Sequence, residues 1–158
     1  MYSELMEKTN VYIMCGIPGA GKSTYCRTNL SGVNHISRDV IRVQLGYILP
    51  GEKVKLSHEQ ENKVTKEEYK QIKECINNNV DIVIDDINIT KKGRKQLIKY
   101  INTFDNTNII AINIITPLNI CIERRAGQIS ENVMKEIYSR YCPISESEVS
   151  NIINVIYE

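Results

Sequence analysis

A glycine-rich loop near the start of the chain has the residue types and spacing of a phosphate-binding loop. The stretch "GIPGAGKST" fills the pattern GxxxxGK[ST] directly after the apolar run "VYIMC" (11–15). In such a loop, main-chain N–H groups turn towards the β-phosphate, the lysine reaches the β- and γ-phosphates, and the hydroxyl binds Mg²⁺. The loop therefore predicts binding of a nucleoside triphosphate, with Lys22 against the phosphates and Ser23 on Mg²⁺. The residues predicted to bind the nucleotide are Gly16, Pro18, Gly19, Ala20, Gly21, Lys22, Ser23 and Thr24.

A second stretch, "HISRDVIRVQ" (35–44), combines a carboxylate with two arginines just after an apolar segment. Asp39 and Arg42 are at positions i and i+3, so they share a face if this stretch is helical. The carboxylate could then accept a proton from a hydroxyl, and the arginine could hold a phosphate bidentately. The same spacing also fits a helix cap with a salt bridge, but a phosphate-binding loop on the same rim of a sheet favours the catalytic interpretation. Arg38 is assigned no role.

Five short apolar segments rich in Ile and Val predict strands that are buried on both faces. They span residues 11–15, 33–37, 80–85, 109–115 and 152–157. Helical patterns lie between them at 57–78, from about 90, at 117–126, and over "SENVMKEIYSRYC" with Ser130 as the N-cap. Strands that alternate with helices predict right-handed crossovers and a mostly parallel sheet.

The composition is that of an ordinary globular domain, and one domain is expected over residues 1–158. Hydrophobic residues make up 42% of the chain and charged residues 25%, with a net charge of +1. A protein that coats long nucleic acids would usually be more basic, whereas an enzyme that grips one end of a strand need not be. No NKxD motif is present, which argues against a guanine-specific switch.

The five cysteines are dispersed and never form a CxxC pair. This pattern favours small buried residues in a reducing compartment over a disulfide framework or a zinc site. The opening "MYSELMEKTN" lacks the apolar core of a signal peptide, and no apolar run approaches the roughly 18 residues of a membrane span. The chain is therefore expected to be soluble and cytoplasmic.

Four motifs in order, "GIPGAGKST", "SRDVIR", "DDINIT" and "ERRAGQ", resemble the phage-type 5′-polynucleotide kinase family over nearly the whole chain. The resemblance implies an adenylate-kinase-like P-loop kinase domain of three layers, with a five-stranded parallel sheet in the order 2-3-1-4-5. It implies that Asp39 is the general base for a 5′-hydroxyl group and that Arg42 contacts the phosphate of the acceptor.

The end of the third predicted strand carries two further matches to this family. Asp86 matches its aspartate and Asn88 its asparagine two residues later, which implies that both bind substrate. Physically, an acid at this position could order Mg²⁺ through water or orient a phosphate-binding side chain, and both roles stay open. Strand alternation is expected to turn Asp85 the other way.

A lid is implied at about 118–130, where "ERRAGQ" matches the family's arginine-bearing segment. Arg124 matches the first lid arginine, which closes over the triphosphate and neutralises charge during transfer. The second falls at Gln128, which cannot supply that charge, and Arg125 is the candidate replacement.

The other charged and titratable groups give weaker predictions. The run "KKGRK" (91–95) with Lys99 is the most concentrated basic patch; it could contact backbone phosphates of a strand, or form an ordinary solvated helix face. His35 lies in a predicted strand and is expected to be a core residue.

Together these features predict an ATP- and Mg²⁺-dependent kinase that transfers the γ-phosphoryl group to the 5′-hydroxyl end of DNA or RNA. Two alternatives remain: a small-metabolite kinase acting on a sugar, nucleoside or antibiotic hydroxyl, and a non-enzymatic nucleotide-dependent binding module. The DxDGT motif of an appended phosphatase domain is absent. A stand-alone kinase or one piece of a split system is therefore expected.

Overall fold

The computed structural model of the protein describes residues 8–158, so the segment 1–7, where no signal peptide is predicted, lies outside the described residues. Residues 8–158 contain five strands and six helices, with one or two helices between successive strands. The strands are β1 (Thr9–Cys15), β2 (Asn34–Ile36), β3 (Ile82–Ile84), β4 (Thr107–Ile115) and β5 (Asn151–Ile156). The helices are α1 (Lys22–Asn29), α2 (Arg38–Gln44), α3 (His58–Asn77), α4 (Lys91–Ile101), α5 (Leu118–Arg124) and α6 (Glu131–Arg140).

The strands form one parallel sheet in the order β2-β3-β1-β4-β5, which confirms the predicted fold. In the central strand, Val11 is in register with Ile82 of β3 and Ile109 of β4. Because β1 is central, the glycine-rich loop leaves the middle of the carboxyl rim of the sheet. The ends of β2 and β3 lie beside it on the same rim, where ligands of open α/β sheets bind.

Helices cover both faces of the sheet and form the outer two of three layers. Ile41 of α2, Ile72 of α3 and Leu97 of α4 belong to the apolar cluster on one face. The other cluster includes Cys26 of α1 and Met134 of α6. All three residues of β3 are buried, as expected of a strand covered on both sides.

Side-chain caps fix where the helices that carry the site begin. Ser57 and Gln60 form a reciprocal capping box at the start of α3. Ser130 accepts a hydrogen bond from the main-chain N–H of Val133, which confirms it as the N-cap of α6. The N-cap of α2 is Ser37, so Asp39 lies within the first turn and is not the cap. No helix within residues 8–158 is long and apolar enough to cross a membrane.

Candidate active site

The glycine-rich loop turns closely around the start of α1. Gly19 has a φ of 83° and Gly21 a φ of 110°, a region that glycine adopts at little cost. A Cβ atom on Gly19 would also lie 2.9 Å from the carbonyl oxygen of Cys121. The loop therefore needs glycine at this position for both its conformation and its packing against α5.

Lys22 is folded back across this loop. Its Nζ atom donates hydrogen bonds to the carbonyl oxygens of Gly16 (2.8 Å) and Ile17 (3.2 Å). Burial lowers the pKa of Lys22, and the nearby Asp85 carboxylate opposes that shift. The ammonium group is thus held within the cradle that main-chain groups of the loop form.

A cavity of about 360 Å³ brings the loop and the predicted lid arginines together. Arg124 donates from Nη1 to the carbonyl oxygen of Gly19 at 3.0 Å, which ties the end of α5 to the loop. Arg125 donates to the side chain of Gln128 at 3.0 Å, so a guanidinium group lies here although Gln128 itself has none. Sequence reasoning missed Tyr157, which follows β5 to the same rim. The cavity is lined by Gly19, Gly21, Lys22, Ser23, Thr24, Arg124, Arg125 and Tyr157.

A neighbouring cavity of about 400 Å³ joins the phosphate-binding loop to the predicted acceptor residues. Lys22 and Ser23 of the loop line it together with Asp39 and Arg42 of α2. The structure therefore places the predicted general base and the phosphate-binding loop around one cavity. Its lining residues are Pro18, Lys22, Ser23, Ser37, Arg38, Asp39, Arg42, Lys53, Asp85, Asp86, Ile87, Arg125 and Ile129.

Arg42 connects Asp39 to the long helix α3. Its Nη1 donates to Asp39 Oδ1 at 2.7 Å, while Nε and Nη2 each donate to the Glu61 carboxylate at 3.1 Å. Lys53 Nζ lies 3.5 Å from Asp39 Oδ2, and the side chain of Asp39 is 60% exposed. The carboxylate is therefore oriented by two cations yet open to a ligand.

Arg38, to which the sequence alone assigns no role, anchors α2 to α3 and to the end of β3. Its guanidinium group donates to Thr65 Oγ1 at 3.0 Å and to Glu61 Oε2 at 2.8 Å. Its main-chain N–H donates to Asp86 Oδ1 at 2.9 Å. Burial alone would raise the pKa of Glu61, but hydrogen bonds from Arg42 and Arg38 outweigh it and lower that pKa. Glu61 is thus a missed partner of both arginines.

Asp86 lies beside a buried carboxyl group, that of Glu68. Burial, reinforced by the negative charge of Asp86, raises the pKa of Glu68 to about 9. Burial also raises the pKa of Asp86 itself. A protonated Glu68 can donate a hydrogen bond to one oxygen of Asp86, and the other Asp86 oxygen accepts from the main-chain N–H of Arg38. Asp86 therefore supports the helix that carries Asp39.

Asp85 and Asp86 lie on opposite faces of the sheet, as strand alternation predicts, yet Asp85 also lines the cavity. The face that carries Asp85 is the one that α1 covers, beside Lys22. Asp85 Oδ2 lies 2.8 Å from His35 Nε2. The prediction that His35 is a core residue is wrong, because its side chain is 45% exposed. The hydrogen bond with Asp85 raises the pKa of His35 against a smaller opposing effect of burial.

Asn88 and Arg94 hold the loop between β3 and α4. Asn88 has a φ of 47°, and its side-chain amide donates to the carbonyl oxygen of Met14 at 2.8 Å. Arg94 is fully buried; it donates to the Asn88 carbonyl at 2.6 Å and makes two hydrogen bonds of 2.9 Å to Glu148. The structure gives Asn88 an anchoring contact, and its binding to substrate stays a prediction.

Comparisons with known proteins agree with this architecture. A family model described as an AAA domain (AAA_33) matches residues 11–137. The L-seryl-tRNA(Sec) kinase of Methanococcus maripaludis is 26% identical over 133 residues, which are 82% of this chain and 51% of that protein. A chain of the Pnkp1/Rnl/Hen1 RNA repair complex superposes with a TM-score of 0.70 at 19% identity, over 85% of this chain and 44% of that one.

A fungal RNA kinase superposes with a TM-score of 0.64 at 20% identity, over 97% of this chain and 77% of that one. These likenesses in structure show the P-loop kinase fold. The chain spans about half the length of the curated relative that it matches.

Proposed function

Because the chain belongs to this AAA-domain family, a P-loop group, we propose that it is a kinase that transfers the γ-phosphoryl group of ATP to the 5′-hydroxyl end of DNA or RNA. The single observation that carries the proposal is the shared cavity, which Asp39 and Arg42 line together with Lys22 and Ser23. Nucleotide binding alone would not need a carboxylate and a second cation in the same cavity as the phosphate-binding loop. Transfer to an alcohol needs both, one for the proton and one for the acceptor.

In this proposal Asp39 accepts the proton of the 5′-hydroxyl as its oxygen attacks the γ-phosphorus. The bond from that phosphorus to the bridging oxygen of ADP breaks, and ADP leaves with the electron pair. Lys22 and Arg124, with Arg125 beside them, stabilise the negative charge on the transferring group. Arg42 holds a phosphate of the acceptor strand.

The residues present fit Mg²⁺, which prefers oxygen ligands and usually keeps several waters. The Ser23 hydroxyl and the Asp86 carboxylate line the same cavity, so Ser23 would hold the ion and Asp86 would act through water. When bound, Mg²⁺ supplies positive charge to the phosphates.

The names of the known proteins support a nucleic acid as the substrate. The relatives reported above include an RNA kinase, a chain of an RNA repair complex, and a kinase named for a seryl-tRNA substrate. The net charge of +1 fits an enzyme that grips a single strand end in a narrow site. Arg42 and Lys53, which both line the cavity, would supply that grip locally.

A transfer screen tests the proposal directly. The protein is incubated with γ-labelled ATP and Mg²⁺, and with 5′-hydroxyl RNA, 5′-hydroxyl DNA, the same oligonucleotides with 5′-phosphate, or a panel of sugars, nucleosides and antibiotics. We expect label on the 5′-hydroxyl oligonucleotides alone, and 5′-phosphorylated strands are the matched control. Label confined to small alcohols would overturn the proposal in favour of a metabolite kinase, and no transfer at all would favour a binding module.

Replacing Arg42 with Ala is expected to raise the KM for the oligonucleotide about 10- to 100-fold, because a charged hydrogen bond contributes roughly 1.5–3 kcal/mol. The KM for ATP should stay within about twofold, since Arg42 contacts Asp39 and Glu61 but no part of the phosphate-binding loop. Steady-state kinetics with each substrate varied separately measure both constants.

Two variants sharpen this test. Arg42→Lys keeps the charge but loses the fork, so its KM should lie between those of the wild type and Arg42→Ala. Lys63→Ala removes an exposed cation of α3 and should change neither constant. An effect of Arg42→Ala on ATP alone would refute the acceptor role.

A further inference from the structure

Three side chains with metal-binding chemistry meet between the first helix and the edge of the sheet. They are the Cys26 thiol, the His35 imidazole and the Asp85 carboxylate. One ligand atom from each lies within 4.8 Å of the other two. His35 and Asp85 are already in contact, with Nε2 and Oδ2 2.8 Å apart.

Each of these residues is fixed by a regular element. Cys26 belongs to α1, His35 to β2, and Asp85 follows β3 directly. The main-chain N–H of Asp85 donates to the carbonyl oxygen of Ile36 at 2.8 Å, which extends the β2–β3 pairing to this point. The three ligand atoms are therefore held together by the sheet and by the helix packed on it, not by a loop.

From this arrangement we propose that Cys26, His35 and Asp85 form a binding site for a divalent cation of the zinc type. Zinc is bound by sulfur, imidazole nitrogen and carboxylate oxygen at about 2.0–2.3 Å, so tetrahedral ligands lie roughly 3.3–3.8 Å apart. Inserting the ion needs His35 and Asp85 to separate slightly and the thiol to approach by at most about an ångström. Three protein ligands leave the fourth position for water.

The site differs chemically from the proposed Mg²⁺ position on Ser23. Thiolate and imidazole ligands favour zinc, cobalt and related ions, whereas Mg²⁺ prefers oxygen alone. The exposed half of His35 gives the ion a path from solvent to the buried thiol of Cys26. Binding would replace the thiol proton by the ion, because only the thiolate is a strong ligand.

The dispersed cysteines led the sequence reasoning to expect no zinc site, because that reasoning looked for paired cysteines close in the chain. The three ligands instead come from separate parts of the sequence and meet only through the strand order. Asp85 also lies beside Lys22, so an ion held here would be a neighbour of the phosphate-binding loop.

Titration of the full chain with Co²⁺ in the absence of nucleotide tests the site by absorption. A thiolate bound to Co²⁺ gives a near-ultraviolet charge-transfer band, which binding to Ser23 or to carboxylates cannot produce. We expect this band to saturate at one ion per chain and to disappear when Zn²⁺ is added. Failure of the wild-type protein to develop the band would overturn the proposal.

Matched variants assign the ligands. Cys26→Ser should abolish the band, His35→Gln and Asp85→Asn should each weaken Co²⁺ binding at least about tenfold, and Cys142→Ser, at an exposed free cysteine, should leave it unchanged. Circular dichroism shows whether each variant is folded. Because His35 is half exposed, its replacement should disturb the core least. A band that persists in Cys26→Ser, or wild-type affinity for Co²⁺ in a folded His35→Gln variant, would also overturn the proposal.

Discussion

Replacing Asp39 with Asn is expected to lower kcat by a factor of about 10²–10⁴, the usual contribution of a general base. The Kd for ATP should remain within about twofold, because Asp39 contacts Arg42 and Lys53 but not the phosphate-binding loop. Asn keeps the size of Asp and an oxygen that Arg42 can still donate to. The loss therefore reports the missing proton acceptor more than a displaced side chain.

Single-turnover transfer to a 5′-hydroxyl oligonucleotide measures the chemical step, and titration with an ATP analogue measures nucleotide binding separately. Asp105→Asn is the matched control: it makes the same substitution at an exposed residue just before β4, on the rim of the sheet opposite the site. That variant should behave as the wild type. Transfer by Asp39→Asn at a rate near that of the wild type would show that Asp39 is not the base.

The parts of the site that could be predicted from sequence are those in which neighbouring residues act together. The phosphate-binding loop is one continuous motif, and its position after β1 follows from a single apolar run. Asp39 and Arg42 are one turn apart, so their contact of 2.7 Å follows once Ser37 starts the helix. The strand order follows from the motif resemblance, because five buried strands alone are compatible with several orders.

The parts that sequence reasoning missed are contacts between groups far apart in the chain. Glu61 lies in a charged helix, and nothing local shows that its carboxylate orients Arg42 and Arg38. Asp85 and His35 meet because β2 pairs with β3, a pairing that spacing does not reveal. Strand alternation correctly predicts that Asp85 and Asp86 lie on opposite faces of the sheet. Which of these faces lies beside the phosphate-binding loop depends on how α1 packs.

Arg94 was missed for a different reason, because it lies in the charged run "KKGRK" and was counted with its surface lysines. A local signal did exist: Arg94 continues the buried stripe of Leu97, Ile98 and Ile101 at positions i, i+3, i+4 and i+7. Its guanidinium group lies in the interior with Glu148, so the basic patch consists of the exposed lysines around it.

Replacing Arg94 with Met is expected to reduce the free energy of unfolding by about 3–5 kcal/mol, the usual result of removing one partner of a buried ion pair. The substitution leaves Glu148 charged in an environment where its side chain is 6% exposed. It also removes a charged donor to the carbonyl oxygens of Asn88 and Cys142. Because Asn88 anchors the loop that follows Asp86 in the chain, the site should lose part of its stability as well.

The loss should depend on pH in a defined direction. Burial alone would raise the pKa of Glu148, but hydrogen bonds from Arg94 outweigh it and hold that pKa below its ordinary value of 4.5. The pair therefore stabilises the fold fully above about pH 4.5, and its contribution falls as the pH drops through the lowered pKa. The difference in stability between wild type and Arg94→Met should be largest near pH 7 and smaller near pH 3.

Guanidinium unfolding at both pH values measures these differences, with Lys95→Met as the control at the adjacent exposed position, where a change within about 0.5 kcal/mol is expected. The double variant Arg94→Met/Glu148→Gln should recover part of the loss, because it leaves no uncompensated buried charge. If Arg94→Met proves too unstable to purify, Glu148→Gln alone weakens the pair with a side chain of the same size. A loss below about 1 kcal/mol in both single variants would contradict a stabilising role for the pair.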